Sequence, residues 1–416
     1  MHVCLKPPSE LNGAEVSAWR RLGAASHDNP FLSPDFAQAV GRVRADARVL
    51  VVRDAAGEVR LLLPMQLAAS GLARPLGAPM CDVNGPIGAV EDQALLPQAL
   101  GAAGVAAYAF SGWTGAAVVG AVKMRAREGS AVADLRGGFD GWLEAQRELY
   151  PKHFKKMRRL ARQGEKDFGS ETVTFGPATA EDLATLISWK REQFSRTRRH
   201  DVLGPAWTRG LLETCAAQSG DGFSGVMAVL RFGRRIAAVE FGLRSGSTLH
   251  GWMAGYDPAL ASCSPGLVLQ ERLLERAAGS GVRQVVLGKG EDHYKRHYAS
   301  FYAPVDDGVV TAAGLAGGPR AMAAGLLHVV EQGRFGPASR LAGRTRRRLD
   351  VILAVETSMG GQLRGAARAG RRSGGRAHAG DPGGGPVGGA VLKTRPVFRE
   401  FPDLATQAGW FSGARR

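Results

Sequence analysis

Apolar and polar positions alternate most clearly in the middle of the chain. Residues 225–232, 235–244 and 248–254 each carry the two-residue period of a strand. They are separated by Gly233-Arg234 and Ser245-Gly246-Ser247, a spacing that predicts an antiparallel meander. A loop over 255–263 leads into Ser264-Pro265-Gly266, which opens a helix running to about residue 278; Gly279-Ser280-Gly281 ends it, and 282–287 is a further apolar strand. Upstream, 181–198 and 205–218 have helical periodicity, and 142–163 reads as one helix with a basic block of Lys152, Lys155, Lys156, Arg158, Arg159 and Arg162.

A weaker version of the same order comes first. In Asn29-Pro30-Phe31-Leu32-Ser33-Pro34, Ser33 serves as N-cap and Pro34 as first residue of a helix over 34–43. The runs 49–53 and 59–67 flank Asp54-Ala55-Ala56-Gly57 as a hairpin, followed by a helical stretch over 93–110 and a strand over 116–123. The pattern predicts a duplicated α/β unit, with halves at 1–140 and 141–314. Beyond them, 315–363 is read as a helical extension, whose basic amphipathic helix over 337–363 packs its apolar side on the core. Residues 364–390 are Gly/Arg/Ala/Pro-rich and cannot bury a core, so 364–416 reads as a linker and docking tail.

Composition narrows the classes. The 416 residues hold 54 Lys+Arg against 38 Asp+Glu, a net charge of +16, and 44% are hydrophobic, so a mostly disordered chain is excluded. Most of that charge is local: 315–416 has 17 basic and 6 acidic residues, which leaves +5 for 1–314. The basicity is therefore no reason to expect a nucleic-acid partner for the main part. Cys4, Cys81, Cys215 and Cys263 have no metal-finger spacing, and no metal is expected. No basic segment followed by an apolar run opens the chain, so no signal peptide is expected. The uncharged stretch 93–122 is Ala/Gly-rich and broken at Ser111-Gly112-Trp113, which favours a soluble helix and strand over a membrane span.

Three segments could carry chemistry. Ser264-Pro265-Gly266 puts unpaired N–H groups and a glycine at the positive end of a helix, a place for a pyrophosphate or simply a capped helix start. The run from Gly288 to Tyr298 holds Lys289, His293, Tyr294, Lys295 and His297 just past the last strand, either as reactive groups or as a polar surface loop. In the meander, Glu240 stands in an apolar strand, where burial would raise its pKa toward neutrality, or else faces solvent. His250, Trp252, Tyr256 and Asp257 lie on or just beyond the neighbouring strand.

These segments together resemble the acetyltransferase domain of the GNAT superfamily as found in cellulose-biosynthesis (CelD-like) proteins, related to the FemAB/FemX transferases. The resemblance runs over about 19–300. It is carried by Lys155-Lys156-Met157-Arg158-Arg159-Leu160, Trp189-Lys190-Arg191-Glu192-Gln193-Phe194, Gly255-Tyr256-Asp257-Pro258, Ser264-Pro265-Gly266 and Gly290-Glu291-Asp292-His293-Tyr294-Lys295. It implies a tandem GNAT-like α/β fold with a mixed, mostly antiparallel sheet flanked by helices. It further implies a cytoplasmic acyltransferase using acetyl-CoA, with a sugar of an exopolysaccharide or envelope precursor as acceptor. Carried over, Ser264, Gly266 and Leu267 meet the coenzyme, Lys295 stabilises the oxyanion, and Tyr294 donates a proton to the thiolate. Glu240 and Asp257 are the remaining catalytic candidates, and Trp252, Tyr256, His250 and His293 line the acceptor. Relatives often have Asp in the strand where this chain has Val285-Val286-Leu287, and His near Glu240. A non-catalytic module holding an anionic polymer, a membrane or a protein is the alternative. A peripheral membrane or protein contact would run through 337–416.

Overall fold

A computed structural model describes residues 1–26, 29–114, 122–290, 294–313 and 349–356. The N-terminal strands are β1 (His2–Lys6), β2 (Ala47–Arg53), β3 (Val59–Leu67), β4 (Leu72–Pro75), β5 (Ile87–Gly88), β6 (Ala107–Trp113) and β7 (Val122–Asp134). The following ones are β8 (Glu171–Gly176), β9 (Ser219–Gly220), β10 (Phe223–Phe232), β11 (Arg235–Ser245), β12 (Thr248–Tyr256), β13 (Gln284–Lys289) and β14 (Phe301–Thr311). Helices are α1 (Gly13–Ser26), α2 (Pro34–Val43), α3 (Leu96–Ala102), α4 (Gly138–Leu149), α5 (Pro151–Phe168), α6 (Ala180–Arg196), α7 (Ala206–Ala216) and α8 (Pro265–Gly279). All described residues fall in one compact unit, Met1–Gly370.

The meander, the hairpin and α2 form where the pattern expects them. Ser33 Oγ accepts the Phe36 N–H at 3.0 Å, as an N-cap should. Two expectations change. Residues 142–163 belong to two helices, because Pro151 cannot donate and disfavours helical backbone at Tyr150 (φ −133°, ψ 53°). The stretch 93–110 is helical only to Ala102, and 107–110 belongs to β6. The strand expected over 116–123 lies mostly outside the described residues; β7 starts at Val122.

One sheet runs through the unit in the order β1-β2-β3-β4-β6-β14-β7-β13-β12-β11-β10-β8. Its topology repeats. β2, β3 and β4 form a meander, α3 follows, and β6 returns parallel to β4; β10, β11 and β12 form a meander, α8 follows, and β13 returns parallel to β12. The last strand of each unit is exchanged. β7 pairs with β13, β14 pairs with β6, and β7 and β14 pair with each other from Phe301–Val132 to Val310–Val122.

Helices cover both faces. α2, α6 and α7 bury Phe31, Phe36, Leu186, Leu211, Phe241 and Met253 on one side, and α4, α5 and α8 bury Phe154, Leu230, Phe232, Leu249, Leu273 and Val285 on the other. Each such apolar side chain contributes roughly 1.5–3 kcal/mol by leaving water. α5 presents Phe154, Met157, Leu160, Ala161 and Gly164 to the core and its six expected cations to solvent. Of the helix expected over 337–363, residues 349–355 are described and helical. Ile352 and Val355 are buried, Leu349 and Leu353 are exposed, and the Trp207 Nε1–H donates to the Val355 carbonyl at 2.8 Å. Residues 364–416 lie outside the described residues. Among those described, no helix is long and apolar enough to cross a membrane.

Candidate active site

The sheet parts at one place that the register defines. β12 and β13 pair at Thr248–Gln284, Leu249–Val285 and His250–Val286. Beyond these pairs β12 follows β11, and β13 follows β7. Each strand carries an extra residue at the point of parting. Phe241 pairs with Met253 and Gly242 with Gly251, so Trp252 is the bulge of β12; Val286 pairs with Val132 and Gly288 with Ala131, so Leu287 is the bulge of β13. Bulges bend strands and re-aim side chains, and two on adjacent strands open a V.

The equivalent place in the first unit is filled. β4 and β6 pair parallel at Leu72–Ala107 and Ala73–Tyr108; farther along β6, Asn84 bridges to Trp113. The Asn84 N–H donates to the Gly112 carbonyl at 2.9 Å, and Asn84 Nδ2 to the Ser111 carbonyl at 2.6 Å. A segment of the chain itself thus occupies the first V.

Glu240 stands where the second V begins. A Cβ on Gly251 would lie 2.5 Å from Glu240 Oε1 and 3.6 Å from the Val286 carbonyl oxygen, so only glycine leaves room for the carboxylate. Glu240 is 8% exposed. Burial pushes its carboxyl up to about 7, against the opposing pull of the Lys190 and Lys295 ammonium groups. Lys190, on α6, is itself held below the usual lysine range by burial, with Arg199 adding to the effect and Glu240 opposing it. Buried Lys295 donates to the Lys289 carbonyl at 2.6 Å. Gly288 has φ +83°, and a Cβ there would stand 2.9 Å from Asp82 Oδ2 and 3.8 Å from Lys295 Nζ.

The start of α8 lies beside the far end of β12, where the nearest atom to a Cβ on Gly266 would be Tyr256 Cδ1 at 3.8 Å. Ser264 precedes α8 in the left-handed region (φ +48°, ψ +55°) and makes no side-chain cap. The ordinary capped start is therefore not what forms. A non-glycine residue held there is strained, a feature that concentrates at ligand sites. The Leu267 carbonyl accepts the Tyr298 hydroxyl at 3.1 Å, which ties this first turn to the segment after Lys295. Tyr256 is 38% exposed beside it. Cys263 is buried, its Sγ donates to the Leu260 carbonyl at 3.1 Å, and burial holds its thiol above the usual range.

Other expected residues have different surroundings. Asp257 is not brought to this cluster: its carboxylate accepts the Ala259 N–H at 2.9 Å and pairs with Arg235 Nη2 at 2.7 Å, which caps the 3-10 turn Pro258–Cys263. His250 has 0% exposure and so reaches a substrate only through a neighbour. Trp252 packs on Phe31 and Phe241, with ring centroids 5.4 and 6.0 Å away. Tyr294 is half-buried against the α8-side core. His293 lies outside the described residues.

Sequence reasoning missed three groups at the V. Lys190 stood in a quoted run without a role. Asn29 was read only as part of a helix start, and Asp82 lies in a segment with no periodicity. His250 Nδ1 is 3.2 Å from Asn29 Nδ2, and His250 Nε2 is 3.3 Å from Asp82 Oδ2. Among the described residues, no group of His, Cys, Asp and Glu is arranged to hold a metal ion.

No curated protein matches the chain. Among solved structures, similarity extends to FemX (10% identity, 74% of this chain and 97% of that one, TM-score 0.48). It also extends to L-PGS from Bacillus licheniformis (11% identity, 82% and 98%, TM-score 0.44). A tandem GNAT protein from the clavulanic acid biosynthesis pathway is similar as well (12% identity, 76% and 100%, TM-score 0.42). Residues 151–296, the stretch that runs from α5 through β13 to Lys295, match the family model of the acetyltransferase (GNAT) domain.

Proposed function

We propose that this chain transfers an acetyl or other short acyl group from coenzyme A to an amine or hydroxyl by direct attack on the thioester. The observation that carries the reading is the V between β12 and β13, with a buried carboxyl poised near neutrality where it begins. A thioester lying in the V would have its pyrophosphate at Ser264, Gly266 and Leu267, where the glycine leaves open space. The Ser264 and Leu267 N–H groups donate to the Ala261 and Ser264 carbonyls, so the Gly266 N–H and the positive end of α8 are what would meet the phosphates. Glu240 takes the proton released by the nucleophile, Lys295 stabilises the oxyanion, and Tyr294 returns a proton to the thiolate. Such a reaction asks the protein chiefly for orientation and charge placement, which the two bulged strands supply. Trp252 lines the acceptor side, and Tyr256 stands beside the start of α8. A sugar of an exopolysaccharide or envelope precursor is the acceptor we favour, at the inner face of the membrane, with 1–140 and 141–314 as the tandem halves.

The test is thiol release from acetyl-CoA with a panel of amino and hydroxyl sugars, beside calorimetry of acetyl-CoA alone. Micromolar binding supports the reading, and none at millimolar ligand sinks it. The exposed cations of α5 favour a second reading, a binding module for an anionic polymer or surface. That reading predicts salt-sensitive polyanion binding without acetyl-CoA affinity.

A further inference from the structure

Asn29 and Asp82 meet opposite edges of the buried His250 ring. The Phe31 N–H donates to Asn29 Oδ1 at 3.1 Å, and a main-chain N–H can only donate, so the other amide atom is the Nδ2 donor. It faces His250 Nδ1 at 3.2 Å, which therefore accepts. The ring proton sits on Nε2, aimed at Asp82 Oδ2 at 3.3 Å. Phe31 packs edge-on against the imidazole with centroids 4.7 Å apart, which holds the ring plane.

Asp82 is left as a fixed, ionisable acceptor at the mouth of the V. Its side chain is 35% exposed. Among the described residues, no Lys or Arg nitrogen lies within ion-pair distance of it. A carboxylate fixed by a ring N–H and still partly open to solvent is placed to meet an incoming cation. Its place also suits a second substrate. Leu249 faces the core under α8, while His250, the next residue of β12, faces Phe31 on the opposite side of the sheet. With a coenzyme entering from the start of α8, the Asp82 side is where an acceptor approaches.

We propose that Asp82, positioned by His250 and Asn29, recognises the acceptor, and that the acceptor is a primary amine entering as its ammonium ion. This rests on the acyl-transfer reading. The ammonium gives one proton to Asp82, which passes it to solvent. The free amine attacks the thioester carbon, and a C–N bond forms. The second nitrogen proton goes to Glu240 and on to solvent as the C–S bond breaks, and Tyr294 protonates the thiolate and is reprotonated from solvent. The balance is ammonium plus acyl-thioester giving amide, free thiol and one proton.

The test is calorimetric titration of the full chain with glucosamine and with glucose, each with and without saturating coenzyme A. Glucosamine should bind at least about tenfold more tightly than glucose. The preference should vanish in Asp82→Asn, a near-isosteric change, with coenzyme affinity unaltered. His250→Gln keeps an acceptor for Asn29 and an N–H for Asp82, so it should retain most of the preference, whereas His250→Leu should lose it. Equal binding of the two sugars up to about 50 mM, or a preference that survives Asp82→Asn, overturns the proposal. Failure to bind coenzyme A overturns the acyl-transfer reading instead, and the amine preference measured without it still decides the role of Asp82.

Discussion

The indole Nε1–H of Trp252 donates to the main-chain carbonyl of Met80 at 2.6 Å. Trp252 is the bulge residue of β12, and Met80 lies two residues before Asp82. One bond thus ties the distorted strand to the segment that supplies the acceptor-side carboxylate. Trp252→Phe should keep the packing on Phe31 and Phe241 and lose the bond. The expected cost is about 1 kcal/mol in denaturant unfolding, with a several-fold rise in acceptor KM and unchanged acetyl-CoA affinity.

Glu240 gives a pH signature. Its carboxyl is raised from 4.5 to about 7, so the folded protein holds that proton more tightly than the unfolded chain does. The stabilising effect of the bound proton is complete below about pH 4.5 and is lost as pH rises through about 7, a decline on the order of 3 kcal/mol. Glu240→Gln should flatten this decline in urea unfolding followed across that range. Turnover should rise with an apparent pKa of about 7 in the native protein and fall roughly 100-fold or more in the variant.

Gly266→Glu places a carboxylate at the start of α8, where only Tyr256 comes within 4 Å of the new Cβ. The melting temperature should stay within a few degrees. The acetyl-CoA Kd should rise at least about tenfold, because the added carboxylate repels a pyrophosphate at the same helix start.

Lys295→Ala separates chemistry from binding. The ammonium lies under Gly288 and bonds to the Lys289 carbonyl, so the variant loses a charge at the V without touching α8. Turnover should fall about 100-fold while the acetyl-CoA Kd moves less than about threefold. Unchanged turnover would remove Lys295 from the reaction.

Trp207→Phe tests the short helix at 349–355. Losing the bond to the Val355 carbonyl should cost about 1 kcal/mol and speed proteolytic cleavage near 349–356 relative to the native chain.

What the sequence made legible follows from where information is local. The meander announces itself through alternation and two glycine-bearing turns, and α8 through Ser264-Pro265-Gly266 and its closing glycines. β7 and β14 do not announce themselves. Arg127, Glu128 and Ser130, or Asp306 and Asp307, break any apolar run; these strands gain their place from pairing on both edges. The break at Tyr150-Pro151 was readable and is a matter of proline chemistry. Glu240 was legible as a carboxylate among apolar neighbours, and the structure resolves its orientation toward burial. Asn29 and Asp82 were not legible, since they meet His250 across 221 and 168 residues. No window of sequence contains that meeting.

The exchange of β7 and β14 has a consequence for how the chain is made. β6 carries Tyr108, Phe110 and Trp113, and its partner β14 leaves the ribosome about 170 residues after β7 is complete. At roughly 5–20 residues per second, that edge waits about 10–30 s for its native neighbour. An open apolar edge is a template for pairing with other chains. The first half of the polypeptide therefore emerges with an edge open to mispairing, which closes only when β14, the last of the described strands, is made.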